Sequence, residues 1–304
     1  MQIGINGTGL VQGASIEAIT QHAQIANDDG FASYWLAEHP TGGLDALMVL
    51  MVVGLSVPRI ELGTAIVPTF PRHPMVMAGQ THTALNAIGS RLTLGIGLSH
   101  APMLAQLGMP FDKPIRHLRE YLSILVPLLN AGRVDFKGKM LSCEAVTFFK
   151  PTAVTPVVVA ALGPQALKVA GTLADGTTLA WVGPKTVKEH IKPRLSEAAA
   201  AAGKPAPRII ATLPVCVTND EAGIRARIGR NLAMYGELPS YKAMFEREGV
   251  EGPGQLAIVG NEDQVSTAID GMREAGVTDF AASEFTTNDD ERHRTRALLK
   301  QLLV

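Results

Sequence analysis

Cysteine is scarce: Cys143 and Cys216 are the two in 304 residues. They lie far apart and match neither a metal-ligand nor a redox spacing, which excludes a disulfide framework and suits a reducing cytoplasm. Both are expected to be small core residues. Charge of either sign in excess is also missing, since 27 basic and 28 acidic residues leave a formal net charge of -1. Such a chain has no field to attract nucleic acid or an anionic membrane surface. Long apolar runs are absent too. The greasiest stretch, Ala46 to Leu55, falls well short of the ~20 residues that span a bilayer. Met1-Gln2-Ile3-Gly4 has no basic start leading into an apolar run, so no secretory signal is expected. His22, His82, His117, His190 and His293 fall in helical patterns without metal spacing, and no zinc or iron site is expected.

What the chain does have is 46% hydrophobic residues, enough to bury a full core. The first strand, Gln2-Ile3-Gly4-Ile5-Asn6, leads to a helix over Ser15 to Asp29 that Ser15 caps and Gly30 stops. This unit recurs. Short runs rich in Val, Ile, Leu and Thr lie near 32–38, 60–67, 91–97, 156–161, 176–181, 208–217 and 278–283. Helical patterns lie between them, near 44–55, 74–88, 114–131, 164–174, 185–202, 220–248 and 262–275, with a last helix after Asp289. Eight strands alternating with helices predict a single (β/α)8 barrel domain over residues 1–304. Two segments exceed that plan. Residues 134–150 read as a hairpin turning at Lys137-Gly138-Lys139. Residues 219–254 read as a charged helical insertion, a candidate lid or interface element.

Several strands run from apolar residues straight into glycine or polar groups, as parallel strands do where their carboxyl ends meet a ligand. Arg91 to Gly97 ends at Leu98-Ser99-His100, and Ser33 to Ala37 ends at Glu38-His39. His39 can move a proton near neutral pH, and the adjacent Glu38 carboxylate can orient it or raise its pKa, which makes both candidate catalytic residues. Gly95 and Gly97 would let backbone approach a flat ligand, leaving Ser99 and His100 to meet substrate. Both could instead relieve crowding in the barrel wall, a reading that suits Gly95 better than Gly97. Ala161-Leu162-Gly163-Pro164 places a helix start after a strand, where free amides favour a phosphate, and Lys185 after the next strand could add a point charge. Trp181, at the end of its strand, is a candidate pocket residue, whereas Trp35 reads as core. Arg72 opens the third helix beside His73 and is a second candidate cation for an acidic ligand.

Gly7-Thr8-Gly9-Leu10-Val11-Gln12-Gly13 resembles a dinucleotide fingerprint, with Glu38 as the ribose acid, and would imply an NAD-binding fold. Its third glycine comes one residue late, and such a fold would not explain the strand endings at Gly97 and Gly163.

Five stretches together resemble the luciferase-like monooxygenase superfamily, in its coenzyme F420-dependent branch. They are Gly30 to His39, Arg59 to Ile66, Arg91 to Gly97, Arg116 to Leu122 and Gly163 to Leu167. The resemblance implies a TIM barrel of the bacterial-luciferase-like type, a homodimer, and a deazaflavin or flavin ring at the carboxyl ends of the strands. It places His39 as the active-site histidine and Ala65-Ile66 at a non-proline cis peptide behind the ring. Leu162, Gly163, Pro164 and Lys185 fall where relatives hold the cofactor phosphate. Where sugar-phosphate dehydrogenases of this family carry a glutamate, this chain has Leu98-Ser99-His100, which leaves the substrate open. The implied activity is hydride transfer between coenzyme F420 and a small organic molecule. The alternatives are an FMN-dependent monooxygenase and a non-catalytic flavin or deazaflavin carrier.

Overall fold

The computed structural model describes residues 1–11, 13–151 and 153–303. Gln12, from the glycine-rich stretch read above, lies outside the described residues, as do Thr152 and Val304 of the expected domain. Eight parallel strands form the centre: β1 (Gln2–Asn6), β2 (Ser33–Leu36), β3 (Glu61–Thr64), β4 (Leu92–Gly97), β5 (Val157–Val159), β6 (Gly176–Ala180), β7 (Arg208–Thr212) and β8 (Asp279–Glu284). Each pairs with the next in chain order. β8 returns to β1 with Gln2 opposite Asp279 and Ile5 opposite Ala282, so the sheet is closed. This (β/α)8 barrel rules out the open dinucleotide-binding fold that the early glycines suggested.

Closure buries the strands on both faces, which is why β2, β4 and β5 read as near-continuous apolar runs. Trp35, Val158, Ile210 and Ala281 pack together inside the barrel, with Ala65 against them. The Trp35 ring needs the glycine facing it: a Cβ on Gly63 would sit 2.1 Å from that ring. At the amino end, Arg208 bridges Glu61 (2.8 Å) and Asp279 (2.7 Å), tying β3, β7 and β8 together. The helices Pro74–Ile88, Pro114–Ala131 and Glu262–Ala275 have the limits their apolar periodicity predicts.

Three expected elements are divided. The strand expected over 60–67 breaks into β3 and Val67–Pro68, with the chain bulging at Ala65 and Ile66, whose peptide is cis. The strand expected over 208–217 breaks at Leu213; its second part, Pro214–Val217, pairs on one side with β8 and on the other with Ile258–Gly260. The helical insertion comprises Glu221–Asn231, Met234–Glu237 and Pro239–Glu248. The hairpin pairs Arg133–Lys137 with Ser142–Val146, Lys137 opposite Ser142. Cys143 lies on it half-buried, so only Cys216 is a buried core cysteine. Among the described residues no helix is long and apolar enough to cross a membrane.

Candidate active site

A cavity of about 650 Å³ lies at the carboxyl ends of the barrel strands. Every strand reaches it: Asn6, Thr212 and Ser283 from β1, β7 and β8, Ala180 from β6, and the residues directly after β2, β3, β4 and β5. The polar groups gather there because the apolar strands end there.

The backbone turns sharply at two of these ends. Ser99 and Trp181 both have φ of 61°, a left-handed conformation that non-glycine residues adopt at a cost of about 1–3 kcal/mol. The turn at Trp181 brings its ring to the cavity wall. Ser99 also lines the cavity, and its hydroxyl approaches Met103 Sδ at 3.7 Å. The bulge at Ala65 and Ile66 is pinned to the end of β2: Ala65 N–H donates to Leu36 O (2.7 Å) and Glu38 N–H donates to Ile66 O (2.9 Å). Both bulge residues face the cavity.

Neither Gly95 nor Gly97 lines the cavity: Gly97 makes room for the bulge at Ile66, and Gly95 for the end of β3 just before it. A Cβ on Gly95 would lie 1.8 Å from Thr64 O, and one on Gly97 would lie 2.9 Å from Ile66 Cγ1 and 3.1 Å from Ala160 Cβ. Crowding between strands, the second reading given for these glycines, therefore accounts for both positions.

His39 and His100 both line the cavity, and among the described residues neither ring has a hydrogen-bond partner. Burial lowers the pKa of each, and for His100 the neighbouring His39 adds to the effect. Both therefore favour the neutral imidazole more than histidine in water does. Glu38 does not orient His39. Its carboxylate accepts from Arg72 at 2.7 and 3.1 Å, and Arg72 also reaches Asp45 Oδ2 at 2.7 Å. The guanidinium thus clamps the loop that carries His39, and it is not a free cation for an acidic ligand as its position suggested.

At the opposite side, Leu162 and Gly163 line the cavity where helix Pro164–Leu173 begins. No side chain caps that helix, and a Cβ on Gly163 would meet nothing within 4 Å. Its free amides and dipole favour an anion. His190 Nε2–H donates to Leu162 O at 2.7 Å and fixes this turn. Ala161 is buried behind it and Pro164 fills the first helical turn. Lys185 does not come to the cavity wall. The helix start it belongs to is occupied from within by Glu248, whose carboxylate accepts from Lys185 N–H (3.1 Å) and Thr186 N–H (2.8 Å).

Comparison with known proteins agrees with this geometry. Residues 2–279 match the family described as luciferase-like monooxygenase. The chain belongs to that family. A 5,10-methylenetetrahydromethanopterin reductase of Methanolobus tindarius is 22% identical over 300 residues, covering 96% of this chain and 90% of the relative. An F420-dependent glucose-6-phosphate dehydrogenase of Microbacterium testaceum is 27% identical over 261 residues, covering 80% and 75%. The structure of the coenzyme F420-dependent tetrahydromethanopterin reductase of Methanopyrus kandleri superposes with a TM-score of 0.81 at 22% identity, covering 99% of this chain and 97% of that one. Within the family frame, the cis peptide lies where the resemblance implied it, at Ala65–Ile66.

One wall of the cavity was missed from sequence. Tyr235, Leu238 and Tyr241, from the helical insertion, line it together with Phe111 and Phe285. Two of the chain's four tyrosines fall within seven residues of the insertion, and that clustering was the available signal.

Proposed function

We propose that the protein is a coenzyme F420-dependent oxidoreductase that transfers a hydride between C5 of the deazaflavin and a small organic substrate. The observation carrying this reading is the cavity built by all eight strand ends, with the Ala65–Ile66 bulge on one wall and an unpartnered His39 on another. The deazaflavin rather than FMN is supported by relatives whose names specify F420. The residues present fit such a group. Ala65 and Ile66 offer an apolar rest for one ring face, and the uncapped helix start at Leu162, Gly163 and Pro164 offers amides to a phosphate.

The bound cofactor supplies the two-electron hydride chemistry, and the protein supplies orientation, exclusion of water and proton management. His39 holds or delivers the proton that accompanies the hydride, and its loop is fixed by the Arg72 clamp on Glu38 and Asp45. Ser99, His100 and Trp181 contact the substrate. Because burial lowers the His39 pKa, its midpoint falls below 6.5. Substrate reduction, which needs the imidazolium, should decline as pH rises through that midpoint; oxidation should rise over the same range. His39→Gln should cut kcat/KM by about 10²–10⁴, the usual contribution of a general acid or base, and abolish this pH dependence. Turnover and a pH profile that survive the substitution would remove His39 from the chemistry.

The assembly proposed is a homodimer. Helix Ala46–Ser56 is apolar all round, and Met48 and Leu55 are 57% and 66% exposed; Val76, on the helix packed beside it, is 53% exposed. An apolar face of this kind calls for a partner.

A further inference from the structure

We infer that the substrate is an uncharged, flat, largely apolar carbonyl compound, and that the helical insertion selects it through Tyr235 and Tyr241. This rests on the oxidoreductase reading above and names the substrate class of the same site.

The first observation is a continuous aromatic wall. Trp181 lies 5.1 Å from Tyr235, Tyr235 lies 5.6 Å from Tyr241, and Tyr241 lies 5.3 Å from the His100 ring, centroid to centroid. Tilted and edge-on pairs of this kind present both ring faces and edges to a planar guest. Two of the four rings come from the insertion and two from strand ends, so the wall spans the junction between them.

The second observation is a lack of compensating charge. Among the described residues lining the cavity there is no lysine or arginine, and the one carboxylate, Glu38, is paired with Arg72. Above the His39 and His100 midpoints, where burial keeps both imidazoles neutral, a carboxylate or phosphate on the substrate would leave water without a counter-ion in reach, at a heavy desolvation cost. The uncapped helix start at Gly163 lies where the cofactor phosphate is proposed to sit. What the cavity does offer is donors: His39 and His100 can each give one N–H to an acceptor oxygen. In the reductive direction the carbonyl carbon gains a hydride from the reduced deazaflavin and the carbonyl π bond opens onto oxygen. That oxygen takes the His39 proton, and the cofactor is left oxidised by two electrons.

The test is equilibrium dialysis of the protein, with and without coenzyme F420, against methyl 4-acetylbenzoate and 4-acetylbenzoate, which share a ring and ketone but differ in charge. The ester should bind at least about 100-fold more tightly than the acid, the consequence of burying an unpaired carboxylate. Tyr235→Ala and Tyr241→Ala should each weaken ester binding about tenfold and leave coenzyme F420 affinity, read from its own fluorescence, unchanged; Tyr→Phe at either position should keep the ester. Ser240→Lys, which adds a cation at the exposed rim of the wall without altering its rings, should shift preference toward the acid. Equal binding of acid and ester, or no effect of any of these substitutions, would overturn the inference. Ester selectivity without coenzyme F420 binding would uphold it and remove the cofactor reading instead.

Discussion

Arg72 and Glu38 are charged side chains beside the site that are fully engaged within the protein, and their partners follow from the fold alone. The sequence places both beside the cavity, and they are there, but directed at one another and at Asp45. Strand ends were legible because apolar runs stop abruptly at polar residues. Side-chain direction was not, because it depends on local turns such as the left-handed Ser99 and Trp181. His117 carries a prediction at this scale. It is 6% exposed, stacks on Phe70 with centroids 3.9 Å apart, and shares a hydrogen bond with Thr69 Oγ1 at 3.1 Å. Burial pushes its pKa down to about 4 from 6.5. The folded state therefore prefers the neutral ring, while the unfolded chain binds a proton as pH falls below 6.5, so stability is present above that value and lost toward 4. Denaturant titrations across this window should show wild type losing about 3 kcal/mol more than His117→Gln. Parallel curves for the two proteins would mean that His117 does not contribute.

Among the elements, the long helices were legible because caps and apolar spacing agree, as at Pro74–Ile88 with His73 accepting from Met75 N–H. The insertion was legible as helical, but its role in the cavity was not, since contact with Trp181 and His100, distant in the chain, leaves no periodic trace. The hairpin has an anchor the sequence did not disclose. Glu120, in the Arg116 to Leu122 stretch used for the family resemblance, accepts from the turn amides of Lys139, Met140 and Leu141 at 3.1, 2.7 and 2.8 Å. These bonds hold its carboxyl below the usual range against the opposing effect of burial. Glu120→Ala should cost about 2 kcal/mol, as expected for charge-assisted hydrogen bonds left unmade. Amide exchange at residues 139–141 should accelerate in that variant. Unchanged protection there would show that the turn holds itself.

For the molecule as a whole, alternation of strands and helices foretold a parallel sheet, and the β8–β1 pairing completes it as a barrel. That last contact joins the first barrel strand to the last, which no local pattern encodes. The bulge at Ala65 and Ile66 and the glycine that makes room for it, Gly97, show how one local feature requires accommodation from a neighbouring strand. The exposed apolar face of helix Ala46–Ser56 predicts that sedimentation will detect a dimer, and that Met48→Lys with Leu55→Lys will yield monomers; a monomeric wild type would contradict this. The central claim is the cofactor. Parallel titration of the purified protein with coenzyme F420, FMN and NADPH, followed by fluorescence, tests it directly. Coenzyme F420 should bind saturably and the other two should not, whereas saturable FMN binding without coenzyme F420 binding would contradict the deazaflavin reading.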